Sequence, residues 1–285
     1  MKKFTTLVVS LLVLTLGTTQ AQIETPQPSP TASFTQTVGL DEITVEYSRP
    51  SMKDRAIFGA LVPFSEMWRT GANASTKITL NADMTIEGNK VPKGTYAIYT
   101  IPAKEMWTIV LHKNITHWGF GGEDYNAEED LVRFSVKPSA TPMKIESLTI
   151  AAGNLGMNNA DIMIMWENTM VSFKVTSEID ERIVAQIEKT LNPTPSFRDY
   201  YSAANYYYDS GKDKTQAMVY INKAVELNAE AFWVIHKKAK MQKEAGDYKG
   251  AIATAGLSKE AAVKADYDAY IKMNDELISE CKSLM

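Results

Sequence analysis

The sequence predicts an antiparallel all-β sandwich followed by an all-α domain of helical repeats. Two observations carry this. Residues 34–176 hold about nine or ten short apolar-alternating stretches separated by turn residues, with no helical pattern between them. From Ser177 the apolar spacing lengthens to four, and small residues recur at Ala217 and Ala251, 34 residues apart.

The chain opens with Met1-Lys2-Lys3, an apolar run from Leu7 to Leu16, then Thr19-Gln20-Ala21. A charged start, a short apolar run and small residues before the cut describe a secretory signal peptide. Cleavage is expected after Ala21, which places the protein outside the cytoplasm, periplasmic or secreted. The run is too short to span a bilayer, which needs about 20 residues, and no Cys stands near the cut, so no membrane anchor is expected. Without residues 1–21 the chain holds 28 cations against 34 acids, a net charge of −6. That balance argues against nucleic acid as a partner. Cys281 is the only cysteine, so no intrachain disulfide can form, and a helix-face thiol is expected.

Residues 22–33, rich in Pro, Ser and Thr, read as a flexible leader. In the β domain, 34–176, Val38-Gly39-Leu40-Asp41 reads as a hairpin turn before the alternation of Ile43, Val45 and Tyr47. Strands are expected at 77–80, 84–87, 95–101 and 106–112, with turns at Gly88-Asn89, Lys93-Gly94 and 103–105. Weaker strands are expected at 131–136 and 143–151. A last hairpin, 161–166 with 170–175, is expected to turn at Glu167-Asn168-Thr169. Ile179, Ile183, Ile187 and Leu191 mark one face of a connecting helix over 177–192, ended by Pro193 and Pro195.

Residues 48–73 have neither period. They bring together Arg, Lys, Pro, Gly, Phe, Trp and Asn, and are too apolar to be disordered. Long irregular segments in compact domains are usually functional when ordered. The order Ser48-Arg49-Pro50-Ser51, Lys53, Arg55, Ile57-Phe58-Gly59, Leu61-Val62-Pro63 and Trp68-Arg69-Thr70-Gly71-Ala72-Asn73 is followed by Val91-Pro92-Lys93-Gly94-Thr95-Tyr96. Pro102, Trp107-Thr108-Ile109, His117-Trp118-Gly119 and Trp166-Glu167-Asn168 continue it. Over residues 35–175 this resembles the bacterial domain-of-unknown-function family 2911. The resemblance implies a secreted or envelope protein, often with helical repeats behind the domain, and carries no established activity. The family pattern commonly has Glu after Gly-Ala-Asn; this chain has Ala74.

Residues 193–285 read as a helical domain. Gly211, Ala217, Ile221 and Ala224 are followed by Gly246, Ala251 and Ala255, and over 197–283 the pattern resembles tetratricopeptide repeats. Two repeats and a capping helix fit, with Ala229 where the repeat usually has Pro.

Templates for nucleophilic catalysis and phosphate binding are missing: no Gly-x-Ser-x-Gly elbow and no glycine loop ending in Gly-Lys-Ser/Thr. Gly119-Phe120-Gly121-Gly122 is followed by acids that would repel phosphate. His112 and His117, five apart, would sit on opposite faces of a continuous strand; a break at Asn114-Ile115-Thr116 would let them join Glu123 or Asp124. No metal and no cofactor are expected. The sharper signal is four cations, Arg49, Lys53, Arg55 and Arg69, close together in an acidic chain. Arg binds carboxylate or phosphate through a planar fork, so these either pin the loop to carbonyls and acids or contact a ligand. Trp68, Phe58 and Phe64 either anchor the loop in the core or offer a stacking platform. Asn73 suits a left-handed turn position or a substrate contact. Binding candidates are therefore Arg49, Lys53, Arg55, Glu66, Trp68, Arg69, Asn73 and His117. The tyrosines 200, 201, 206, 207 and 208 suit either packing between helices or a groove for a partner peptide. These features predict a binding or scaffold protein with a small anionic or sugar ligand and a protein partner on the repeats. The alternative is a hydrolase or lyase-like enzyme with an Arg-rich site on 48–73.

Overall fold

The computed structural model describes residues 25–119 and 122–285. The expected signal peptide and the start of the leader lie outside the described residues. Ten strands build two antiparallel sheets. They are β1 (Thr31–Val38), β2 (Asp41–Ser48), β3 (Thr76–Leu80), β4 (Met84–Ile86) and β5 (Asn89–Val91), then β6 (Gly94–Ile101), β7 (Trp107–His112), β8 (Asp130–Val136), β9 (Ser139–Gly153) and β10 (Asn159–Ser177). One sheet runs β1-β2-β3-β6-β7-β8, the other β5-β4-β10-β9. The predicted β domain followed by an α domain is what forms.

The core lies between the sheets. Ile43, Val45 and Tyr47 of β2 point inward, as their alternation predicts, with Ile78 and Leu80 of β3, Ile109 and Leu111 of β7, and Phe173 and Val175 of β10. At the β1–β2 turn Gly39 has φ +64°, and a Cβ there would lie 2.8 Å from Ile179 Cγ2. Backbone conformation and space both require glycine at this point. Strand β1 begins at Thr31, inside the stretch expected as leader, because the whole of 31–38 pairs with 41–48.

The expected hairpin at 167–169 does not form. Strand β10 runs unbroken through it, with register shifts against β9 on both sides of Glu167, which has φ +57°. The extra residues lie in β9, which advances four and then five residues where β10 advances two, and across this bulged region the inward set of β10 moves from Ile162, Ile164 and Trp166 to Val171, Phe173 and Val175. That switch from even to odd numbers is what reads as two strands in the sequence.

Six helices follow: α1 (Asp180–Thr190), α2 (Phe197–Asp209), α3 (Lys214–Leu227), α4 (Phe232–Glu244), α5 (Tyr248–Lys264) and α6 (Asp268–Ser283). A capping box of Ser196 and Asp199 starts α2. Neighbouring helices pack in chain order, and Ala217, Ala251 and Ala255 are fully buried where they cross, consistent with helical repeats. Tyr200, Tyr201, Tyr207 and Tyr208 pack against the cluster of Ala204, Ala217 and Ile221. Tyr206 bonds Asp180 of α1 instead. His236 is buried and bonded to Asn274 at 2.8 Å. Cys281 is buried on α6, and burial raises its thiol pKa.

The β domain joins α1 through a buried carboxylate. Asp41 accepts hydrogen bonds from Ser177 Oγ at 2.5 Å and Arg182 Nη1 at 2.7 Å. Burial raises the Asp41 pKa, but the bonds from Ser177 and Arg182 outweigh it and hold the carboxyl below its ordinary value. Among the described residues no helix is long and apolar enough to cross a membrane.

Candidate functional site

The 48–73 segment stays irregular and lies tightly on the scaffold. Isolated bridges join Ser51 to Ser147 and Trp68 to Thr100. Met52 N donates to Glu146 O at 2.8 Å, and Ser65 N to Pro102 O at 2.8 Å. Trp68 stacks on Trp166 with centroids 5.8 Å apart, and the edge of Phe58 meets Trp107 at 4.8 Å. The Trp68 indole N–H donates to Gly71 O at 3.1 Å. Trp68 and Phe58 therefore anchor the loop, each partly buried against the core.

The four cations behave differently. Arg49 donates to Leu148 O at 3.0 Å and to Thr149 Oγ1 at 2.9 Å. Arg55 donates to Met52 O and Ser51 O, both at 2.8 Å. Arg49 is thus tied to β9, and Arg55 braces its own segment. Lys53 is exposed at φ +49°, and its backbone N–H donates to Glu146 Oε1 at 3.0 Å. Glu66 is exposed. Arg69 is half-buried, and its side chain has no hydrogen bond or ion pair among the described residues; Nε is fully enclosed. Burial pushes its pKa below the ordinary value.

Arg69 faces the outer side of the β3–β6–β7 strands, opposite to Trp68. Met67 packs on that side with Ala97, Tyr99, Val110, Ile115 and Tyr125. Tyr99 and His112 are fully buried there, and His117 and Ser75 nearly so. His112 ends β7, so the face rule for a continuous strand stops applying to His117. The chain turns at 113–116, and the two imidazoles stack on one face with centroids 5.5 Å apart. His112 Nδ1 lies 3.0 Å from Asp130 Oδ1, and His117 Nδ1 lies 3.0 Å from the Tyr99 hydroxyl. Asp130 also accepts from the Tyr125 hydroxyl and, at 2.6 Å, from Arg133 Nε. Burial, then this bond, raises the Tyr125 pKa. Burial also raises that of Tyr99, where Ser75 opposes the shift and Asp130 adds to it.

This face concentrates unsatisfied polarity. Five buried side-chain polar atoms lack a hydrogen-bond partner among the described residues, and four are Arg69 Nε, Ser75 Oγ, His112 Nε2 and His117 Nε2. Folded proteins leave few such atoms, because each costs about 1–3 kcal/mol. Glu129 Oε2 stands 3.5 Å from His112 Nε2 without an aligned bond. Among the described residues no group of three His, Cys, Asp or Glu stands at metal-binding spacing.

A groove of about 230 Å³ adjoins this face. Gln27, Glu46, Ser48, Asn73, Ser75, Lys77 and Trp118 line it. Ala74 bridges to Trp118, and Gly119 N donates to Asn73 O at 3.1 Å. Asn73 has φ +57°, and its amide donates to Ser29 O and Ser48 Oγ, each at 3.3 Å. Trp118 is 77% exposed on this fixed backbone. Ser75 belongs to both the groove and the polar face.

The profile of a family described as a protein of unknown function, DUF2911, matches residues 29–175. The chain belongs to the DUF2911 family. No curated protein and no solved structure matches it. The DUF2911 match ends two residues before β10 does, so the helices lie beyond it.

Arg69, Asn73 and His117 come together around the Ala74–Trp118 bridge; Arg49, Lys53, Arg55 and Glu66 do not join them. Ser75, Tyr99, Trp118, Tyr125 and Asp130 were not signalled as site residues. One sign was available. Strands β6 and β7 lack a polar side over Ala97–Tyr99 and Ile109–Leu111, which means that both faces are covered.

Proposed function

We propose that this DUF2911 protein is an extracytoplasmic ligand-binding protein. Its β domain takes a small polar ligand in the Trp118 groove, and its tetratricopeptide-like helices dock a protein partner. One observation carries the binding function: the exposed Trp118 indole is held by backbone bonds at Ala74 and Gly119, beside a groove of polar side chains. A large aromatic left in water on a rigid support offers a flat apolar face, and the hydroxyls of a sugar ring stacked there would reach Gln27, Glu46 and Lys77. The charged start at Met1-Lys2-Lys3 and the short apolar run from Leu7 to Leu16 support export. An enzyme built on the 48–73 cations has less support, because Arg49 is bonded to β9 and Arg55 to carbonyls of its own segment.

A thermal-shift screen of the purified protein against sugars, peptidoglycan fragments, organic acids and metals tests this, since a ligand that binds only the folded form raises Tm. The expected result is a rise with a polar, hydroxylated ligand that Trp118→Ala abolishes without changing the ligand-free Tm. A panel with no rise, or a rise that survives Trp118→Ala, overturns the proposal.

A further inference from the structure

The two sheets end in four outer strands, β1 and β8 on one, β5 and β9 on the other. An outer strand exposes a row of unpaired N–H and C=O groups, and proteins block such rows with charge, proline, shortness or a covering segment. Three of these four are blocked. Strand β5 is three residues long and carries Lys90. Strand β8 carries Asp130 and Arg133. Strand β9 carries Pro142, Lys144 and Glu146. Residues 50–52 also lie along it, with Leu148 N donating to Pro50 O at 2.9 Å and Met52 N to Glu146 O at 2.8 Å. Strand β1 has none of these devices. It is eight residues long, pairs with β2 without a bulge, and holds no Pro and no charge. The chain is uncharged from Thr25 to Leu40.

Ladder parity fixes what this edge offers. Arg49 N donates to Pro30 O at 2.9 Å, one step beyond the Thr31–Ser48 pair. Hydrogen-bonded pairs alternate along an antiparallel ladder, so the even-numbered residues of β1 bond to β2. Thr31, Ser33, Thr35 and Thr37 turn their N–H and C=O groups to the open side, where no described strand lies. The Gln36 side-chain amide covers Thr37 O at 2.9 Å. These four residues are exposed, and Phe34 is half-buried at the rim of the core. Facing hydroxyls already bond across this sheet, Thr35 to Thr44 and Thr79 to Thr95, each at 2.9 Å.

With no charge to select a foreign strand, the edge is its own complement. We propose that β1 joins two copies of this chain, antiparallel about a two-fold axis at Phe34. Thr31 then meets Thr37 and Ser33 meets Thr35 as hydrogen-bonded pairs, which use the odd-numbered groups left open. Phe34 meets its own copy at the closer, non-hydrogen-bonded spacing, where side chains touch. No like charges face each other in this pairing. The contact is isologous, so it closes at two copies and β1 ceases to be an edge. It is independent of what occupies the Trp118 groove.

Sedimentation equilibrium of the purified protein over a concentration series tests this, beside the double variants Ser33→Lys/Thr35→Lys and Ser33→Glu/Thr35→Glu. The axis sets positions 33 and 35 opposite each other twice, so each variant alone meets like charge and is expected to dissociate at least about tenfold more readily. An equimolar mixture of the two meets opposite charge and regains the dimer mass. Hydrogen exchange of the unsubstituted protein gives a reading that needs no variant: peptides covering 31–37 are expected to exchange more slowly at high than at low concentration. A monomer mass throughout the series overturns the proposal. So does a dimer that both variants leave intact, a mixture that stays monomeric while circular dichroism shows both variants folded, or exchange over 31–37 that ignores concentration.

Discussion

The two faces of the β6–β7 pair carry polar residues under opposite conditions. On the inner side the 48–73 segment packs Trp68 and Phe58 against the core and ties Arg49, Arg55 and the Trp68 indole to carbonyls. On the outer face Arg69, Ser75, His112 and His117 each keep an enclosed atom without a hydrogen-bond partner among the described residues. Composition does not separate the two, since both hold arginine and aromatic residues. Hydrogen-bond accounting does. Satisfied polarity rigidifies a scaffold, and unsatisfied polarity is a cost that a binding event can recover.

Mutation can break that contrast. The largest effect is expected at Trp68→Ala, which empties an aromatic stack in the core. It should cost about 3 kcal/mol and lower Tm by about 6–12 °C; a Tm close to that of the parent would mean that the loop is not anchored there. Arg49→Ala comes next, at about 1–2 kcal/mol by urea denaturation, since it removes the donor to Leu148 O and Thr149 Oγ1. The smallest effect is expected at Arg69→Gln, within about 0.5 kcal/mol of the parent, because the guanidinium bonds nothing among the described residues. If Arg69→Gln destabilises as much as Arg49→Ala does, the two faces are alike and Arg69 is another pin.

The sandwich was legible because alternation at Ile43, Val45 and Tyr47, and in the strands that follow, is a local signal that burial of one face enforces. The irregular segment and the helical period were legible for the same reason. The polar face was not, because Ser75, Tyr99, His112 and Asp130 sit on or beside four different strands. They meet only through the pairing β3-β6-β7-β8, which no local pattern encodes. Four clustered cations looked like one site, but whether each finds a carbonyl depends on tertiary contacts, and Arg49 and Arg69 ended with opposite fates. The bulge at Glu167 misled in the other direction, since a strand that changes its inward parity imitates a turn.

Strand β10 is interior to its sheet, paired with β9 on one side and β4 on the other, and it leads into α1 within three residues. Tension applied through the helices, by a tethered partner for instance, therefore arrives first on Val175–Ser177, paired with β4, and only then on 161–170, paired with β9. Extracting the strand means rupturing two ladders, while the groove sits on the opposite sheet. Through Arg182 and Asp41 the same load also reaches the first residue of β2, so both sheets share it.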